Sequence, residues 1–354
     1  MFATRELLQW DARTPNGDAA NVYVYRMEEL GDGIQVQNPP RVLGIATLRN
    51  VIPWKTVVMS NNWGLDLGGT KIAGTVLRDG DVGSAIKRRV PTLRDQGYDQ
   101  IVAQVGSLLS ELEQASGETR PARIGIGTPG TTDPATGLLK NSNTTVLNGR
   151  PFIADLSAAH GVEFVAANDA NCFALAEAAL GAARGYETVF GIILGTGVGG
   201  GLVVNGRVLN GAHGIAGEWG HNPLESGGYH GYSGHRGVVE SVLSGPALER
   251  FYYDCRGEKA SLAEIAQRAK ESDLAAIQTL RRLVEFFGIA VANIVNVFDP
   301  HAIVIGGGVG NLDVLYSNGP KEVAKHVFNP GFSTPILRPA LGDDAGVFGA
   351  AMLV

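Results

Sequence analysis

The sequence predicts an α/β protein of two similar lobes that face one another across a central cleft. Three observations carry this expectation. The chain has 354 residues and is 44% hydrophobic, beyond the roughly 250 to 300 residues at which a single core stops growing. A β-meander with a glycine turn begins at Asn62. A second begins at Val189 and repeats the glycine spacing of the first, and each is followed by strands and helical stretches.

The elements follow in order. Residues 1–58 carry Pro39, Pro40 and Pro53 and show no sustained helical or alternating period, so they read as an extension rather than a domain. From Asn62, WGLDL reads as a strand, GGTK as a tight turn, IAGTVLR as a second strand, Asp79-Gly80 as a hairpin turn and DVGSAIKRR as a third strand. Ile101, Val102, Val105, Leu108, Leu109 and Leu112 share one face of a helix over 98–113 that should cover this sheet. RIGIGTPG and EFVAAND are short apolar strands ending in polar residues, and a helix should start after Asp169. The second meander is FGIILGTGVGGGLVV, a turn at Asn205-Gly206, and RVLNGA. Laying Gly191 on Gly64 also matches Leu194 with Leu67, Gly195 with Gly68, Gly201 with Gly74 and Val203 with Val76, with the hairpin turn one residue earlier. Leu274 to Val297 is a long apolar-periodic helix, HAIVIGGGVG a buried strand running into three glycines, and GDDAGVFGAAMLV a closing helix.

Two glycine turns facing one another could hold a polyphosphate between their backbone N–H groups. Other classes fit poorly. The net charge of −6, with no Lys/Arg run long enough to suggest a phosphate-tracking surface, makes nucleic acid a poor partner. Cys172 and Cys255 are the only cysteines, which excludes a disulfide framework and suits a reducing cytoplasm. The first residues carry charges where a signal peptide needs an apolar core, and the most apolar run, Val189 to Val204, is broken by glycines, so neither secretion nor membrane insertion is expected.

The ordered set DLGGTKIAG, GIGTPG, NDANC, GTGVGGG, GEWGH and VIGGGV, spanning Asn62 to Val354, resembles the ROK family of bacterial sugar kinases and repressors. LKNSNTTVLNGRPF, ANDANCFALAEA and AGEWGHNPL look most similar to its fructokinase (mannofructokinase) branch. The resemblance implies a duplicated actin-like ATPase fold, with a ribonuclease-H-like lobe repeated. It divides the chain into an extension at 1–58 that is dispensable, an N-terminal lobe at 59–175 with the last helix, about 343–354, packing back on it, and a larger C-terminal lobe at 176–342. The implied reaction is ATP- and magnesium-dependent phosphorylation of a hexose at its 6-hydroxyl, fructose leading, in a cytoplasmic protein that could be a homodimer. Glucokinase, mannokinase and N-acetylhexosamine or amino-sugar kinase are the alternatives within the family. A polyphosphate donor is a further one. A sugar-responsive regulator or a non-catalytic sugar binder is the alternative of another class, although residues 1–58 lack the two amphipathic helices and basic face that DNA binding needs.

By the same resemblance, Asp66, Gly68, Gly69, Thr70 and Lys71 form the first phosphate loop and Gly195 to Gly201, including Thr196, Gly197 and Gly199, the second. Glycines let backbone amides approach phosphates, and Asp66 could hold magnesium through water. Gly306, Gly307 and Gly308 would lie against the adenosine, or simply turn the chain from strand to helix. Asp169 is implied as the general base, and it is also well placed to be an N-cap. Asn143, Asn168, Glu218, His221 and Glu240 match sugar-contacting positions, with Thr128-Pro129-Gly130 a sugar-side loop or an ordinary turn.

One signature departs from the family. Between Gly217 and Glu240 the usual zinc set of a histidine and three cysteines is missing: His221 survives, but Gly231, Ser233 and Val238 stand at the cysteine positions. Replacement by His230 and His235 lacks a fourth ligand and oriented partners, so no zinc is expected. The loop is expected to be held by packing and hydrogen bonds through Tyr229 and Tyr232.

Overall fold

The computed structural model describes the backbone of two strands at 2–13 and 19–29, and residues 61–231 and 234–354 in full. The chain divides into two compact units, Met1–Pro53 and Trp54–Val354. In the first, β1 (Phe2–Arg13) pairs antiparallel with β2 (Ala19–Glu29). This differs from the irregular extension expected from sequence. Its β-rich stretch NVYVYR is apolar at successive positions, so it lacks the alternation by which strands are recognised, although an Asn-Gly pair at 16–17 separates the two segments.

The second unit contains two five-stranded sheets of the same topology. The first lobe runs β3 (Asn62–Leu67), β4 (Lys71–Leu77), β5 (Ile86–Pro91), α1 (Tyr98–Ser116), β6 (Arg123–Thr128), the short pair β7 (Thr131–Thr132) and β8 (Leu139–Lys140), α2 (Phe152–His160), β9 (Glu163–Asn168) and α3 (Asp169–Ala179). Next come β10 (Thr188–Leu194), β11 (Val198–Val204), β12 (Arg207–Val208), α4 (Glu240–Leu243), α5 (Gly245–Arg256), α6 (Leu262–Lys270), α7 (Leu274–Phe298), β13 (Ala302–Gly306), α8 (Val314–Ser317), α9 (Gly319–Val323), β14 (Ile336–Leu337) and α10 (Ala345–Ala351). The sheet orders are β5-β4-β3-β6-β9 and β12-β11-β10-β13-β14, each an antiparallel meander extended by two parallel strands. The expected duplication is therefore present strand for strand.

The strand registers correct the sequence match by one residue. Leu67 pairs with Ile72 across a four-residue turn, but Leu194 pairs with Val198 across three. Gly201 accordingly faces Gly191, where the first lobe sets Thr75 opposite Gly64. The same missing residue brings the Asn205-Gly206 turn forward. The third strand starts at Ile86, later than expected, because the Asp81 carboxylate accepts the Gly83 N–H and bends the chain first.

Cores form where the apolar spacing placed them. Ile101, Val105, Leu108, Leu109 and Leu112 of α1 bury against Leu65, Leu67, Ile72 and Val76, while Val102 lies at the edge of this cluster. Leu283, Phe287, Val291 and Val295 of α7 pack on Phe190, Ile192, Ile303 and Ile305. Between the sheets, α3 is apolar nearly all round, as a helix buried on every side must be. A Cβ on Gly64 would collide with the backbone of Ala351 in α10, and one on Gly191 would lie 2.6 Å from Ala174 Cβ in α3. These two equivalent glycines thus let a helix of the opposite half approach each sheet. The buried Glu177 carboxylate ties the pair together by accepting N–H groups of Ala182, Ala340 and Leu341 at 2.8–3.0 Å. Among the described residues, no helix is long and apolar enough to cross a membrane.

Candidate active site

The turn between β3 and β4 is closed by Gly68 N–H donating to Lys71 O at 3.0 Å. It is anchored from the end of β5 by a residue that sequence reasoning missed. The buried Thr92 hydroxyl donates to Gly68 O at 2.7 Å, and its N–H donates to Thr70 O at 3.0 Å. Gly69, Thr70 and Lys71 are left at the surface of the turn, with Thr70 and Lys71 exposed. Nothing local marks Thr92, because its partners lie more than twenty residues away.

The glycine run at 195–201 divides into two parts. Only Gly195, Thr196 and Gly197 form the turn, drawn tight by Gly195 N–H donating to Gly197 O at 2.9 Å. A Cβ on Gly195 would meet nothing within 4 Å, and Thr196 is exposed. Gly199 instead sits inside β11, where a Cβ would lie 3.3 Å from that of Ala170. Its small size serves packing of the α3 start. The same distinction separates Gly306 and Gly307 from Gly308. The first faces the Phe173 ring at 2.8 Å, the second has φ +83° and no room beside the Leu194 carbonyl, and only Gly308 is open. Gly245 N–H donates to Gly195 O at 2.8 Å, joining the start of α5 to this turn.

At the junction of β9 and α3, Asn168 rather than Asp169 caps the helix, its Oδ1 accepting Asn171 N–H at 2.8 Å. Asp169 occupies the first helical position, accepts its neighbour Ala170's N–H at 2.8 Å and stays solvent-accessible. Protein nevertheless surrounds it at longer range. That enclosure by protein is the main reason its carboxyl is raised above the ordinary range, while backbone hydrogen bonds oppose the shift. Asp66 is pushed up to about 6, first by burial and then by the charge of Asp169, with Lys71 pulling it down. Two carboxylates that disfavour each other's charge, opposed by a single ammonium, form a donor set suited to a hard cation.

Glu218 and His221 flank a short 3-10 turn held by Trp219, which is buried, donates its indole N–H to Gly199 O at 2.8 Å and stacks edge-on against Phe190. Glu218 Oε1 lies 3.5 Å from Asn168 Nδ2, and its Oε2 lies 3.7 Å from His221 Nε2. Burial is the largest influence on Glu218 and raises its carboxyl; His221 lowers it, and Asp169 and Glu240 raise it further. His221 Nδ1 is buried and has no hydrogen-bond partner among the described residues. Glu240 reaches further than a sugar-side residue need do, because its Oε2 accepts Val198 N–H at 3.2 Å and lies 2.7 Å from a Cβ built on Gly197. One carboxylate thus links the second glycine turn to the Glu218 cluster.

Asn143 is exposed on a loop stapled by Asn148, whose side chain bonds both the N–H and the carbonyl of Ser142 at 2.9 Å. No direct contact joins Asn143 to Glu218 or His221. Thr128-Pro129-Gly130 is a structural turn beside this loop, with the Thr128 hydroxyl spent on Gly130 O and Ala167 O at 3.4 Å. Next to it, Thr128, Thr131, Thr132, Ala167, Asn210 and Gly214 line a cavity of about 180 Å³. The Thr132 hydroxyl oxygen is buried without a partner.

The segment between His221 and Glu240 is a hairpin. Pro223 bridges Val238 and His230 bridges Arg236, and Gly231 N–H donates to His235 O at 2.8 Å. The Tyr229 hydroxyl bonds Asp254, its ring lies 3.6 Å beneath the Arg250 guanidinium, and Glu225 pairs with Arg282 at 2.7 Å. A Cβ on Gly231 would lie 2.6 Å from Val238 Cγ2, so the valine fills the room of a side chain there. Neither residue offers a metal ligand, and Tyr232 and Ser233 lie outside the described residues.

Comparison with known proteins identifies the family. The ROK family model matches residues 62–354. N-acetyl-D-glucosamine kinase of Haemophilus influenzae is 37% identical over 305 residues, covering 82% of this chain and 98% of the relative. That of Vibrio cholerae is 35% identical over 301 residues with the same coverage. These relatives are N-acetyl-D-glucosamine kinases, where the sequence motifs point to the fructokinase branch. Among solved structures, a ROK hexokinase from Thermus thermophilus superposes with a TM-score of 0.75 at 33% identity, covering 83% of this chain and 98% of its own. A ROK glucokinase from Streptomyces griseus in complex with glucose and AMPPNP gives 0.65 at 27% identity, with coverage of 82% and 98%. The chain belongs to the ROK family and has its duplicated actin-like fold.

Proposed function

We propose that the protein is an ATP-dependent kinase of an N-acetylated amino sugar, N-acetylglucosamine first, that transfers the γ-phosphoryl group to the 6-hydroxyl. The observation that carries this reading is the placement of Asp169, accessible yet enclosed, beside Asp66 and in the same cluster as Glu218. The N-acetyl-D-glucosamine kinases among the relatives support the acceptor. So does the cavity beside Ala167, whose threonine hydroxyls and alanine methyls suit an acetamido group.

In the proposed reaction, Asn168, Glu218, His221 and Glu240 hold the sugar hydroxyls, with Asn143 on the facing loop. Asp169 accepts the proton of the 6-hydroxyl as its oxygen bonds to phosphorus, a role aided by a carboxyl whose proton affinity is raised. Because Asn168 makes the capping bond, the Asp169 carboxylate, whose Oδ1 accepts the Ala170 N–H, keeps its other oxygen for this task. The turns at Gly68–Thr70 and Gly195–Gly197 receive the phosphates on backbone N–H groups. Asp66 would hold the magnesium of the nucleotide, which neutralises phosphate charge when bound.

The test is a coupled assay of ADP release from ATP across N-acetylglucosamine, N-acetylmannosamine, glucose and fructose. The expected outcome is a kcat/KM for an N-acetylated sugar at least about tenfold above that for fructose. Preference for fructose, or turnover of none of these sugars, would overturn the reading.

A further inference from the structure

We propose that Arg94 is a phosphate-contacting residue at the first glycine turn, directed at the terminal phosphate of a nucleoside triphosphate, with the Thr144 hydroxyl near the same position. No quoted motif contains Arg94, and LKNSNTTVLNGRPF contains Thr144 without giving it a role. The inference deepens the kinase reading, since it rests on Gly68–Thr70 being a phosphate turn.

The geometry begins at Thr92, whose two hydrogen bonds fix the end of β5 to the turn. The next residue, Leu93, is held at φ 52°, ψ 38°, a left-handed conformation that bulky residues rarely adopt. That reversal brings Arg94 back onto the turn, so that its Nη1 lies 3.3 Å from a Cβ built on Gly69. Such strain in a non-glycine residue persists where the surroundings enforce it, often beside a ligand. Among the described residues, the only carboxylate paired with Arg94 is Asp95, at 3.8 Å and 98% exposed, which is a weak, solvated contact. The Arg94 side chain itself is half exposed. A guanidinium in this setting can present two parallel N–H groups to a phosphate.

The second observation is independent. Thr144 is 2% exposed, its Oγ1 has no hydrogen-bond partner among the described residues, and it lies 4.0 Å from the same Gly69 Cβ position. A buried hydroxyl without a partner is unfavourable unless a ligand or water satisfies it. Arg94 and Thr144 thus converge on one glycine from the ends of two segments that share no local sequence relation. Lys71 differs from Arg94, because its charge acts on Asp66.

The test is calorimetric titration of the full-length protein with AMPPNP and with ADP, both with magnesium, for wild type, Arg94→Ala, Arg94→Lys and Thr144→Val. Arg94→Ala should weaken AMPPNP by about tenfold or more and ADP by less than about threefold, the loss expected for a charge-assisted hydrogen bond to the terminal phosphate. Arg94→Lys should recover part of the AMPPNP affinity, and Thr144→Val should lose about two- to fivefold with no fall in melting temperature. An unchanged ratio of AMPPNP to ADP affinity in Arg94→Ala would overturn the inference, as would a wild type that binds no AMPPNP. Loss of that ratio in a protein that phosphorylates no sugar would sustain the contact while removing the sugar kinase reading.

Discussion

The two glycine turns occupy equivalent places in equivalent sheets yet are built in opposite ways. The first has four residues between its paired strands, is anchored by the Thr92 side chain and is surrounded by Asp66, Lys71 and Arg94. The second has three, is closed like the first by a backbone hydrogen bond, is tied to the start of α5 by the Gly245 N–H, and has Glu240 as the charged side chain at its edge. Duplication supplied two glycine turns, and divergence placed Lys71, Arg94 and the buried Asp66 carboxylate beside one and Glu240 beside the other. In the proposed reaction the first turn would handle the transferring charge, and the second would be where donor and acceptor sites touch.

This contrast can be broken or sharpened in four ways. The largest effect should come from Asp169→Asn, which keeps shape and removes the base: kcat should fall by about 100- to 10,000-fold while sugar affinity, read by calorimetry, stays within about threefold. Substitution of the turns themselves comes next. A methyl on Gly197 displaces Glu240, whereas one on Gly69 meets the tip of the flexible Arg94 side chain at 3.3 Å and the Thr144 hydroxyl at an ordinary 4.0 Å. Gly197→Ala should raise the KM for sugar by about tenfold or more, and Gly69→Ala should change it by less than about threefold. Equal effects would show that the turns are not specialised.

A third effect follows pH. Asp66 has a folded value of about 6 against an ordinary 3.8. Its raised value stabilises the ligand-free fold fully below the ordinary value, and that contribution is lost as pH rises through 6. Binding of the magnesium nucleotide runs the other way, because it needs the ionised carboxylate. AMPPNP affinity should thus weaken as pH falls through 6, and Asp66→Asn should give weak binding that is flat over this range. The smallest effect is expected from a chain that begins at Met59, which should fold and keep kcat/KM within about twofold, as measured in the same coupled assay.

Local sequence made much of this legible. The meanders were readable because strand alternation and the Asp-Gly and Asn-Gly turns are short-range signals, and Asp79, Gly80, Asn205 and Gly206 all have the positive φ such turns require. The glycines of the site were harder, since a glycine's role depends on what stands across from it. Gly199, Gly306 and Gly307 give way to Ala170, Phe173 and Leu194, and those contacts join segments distant in sequence. Thr92, the one-residue offset between the lobes and the reach of Glu240 to Val198 were hidden for the same reason. The acceptor sugar was not legible in the motifs, because residues suited to hydroxyls answer to what all hexoses share.

The exchange of α3 and α10 between the lobes also bears on how this chain comes to be folded. The strand that opens the first sheet is covered by the last helix, and the Asn62 side chain donates to the carbonyl of Val354, 292 residues away. A nascent first lobe therefore has one face of its sheet bare until α10 has been made. Folding should then be a single late event for both halves, and neither half should survive when expressed alone.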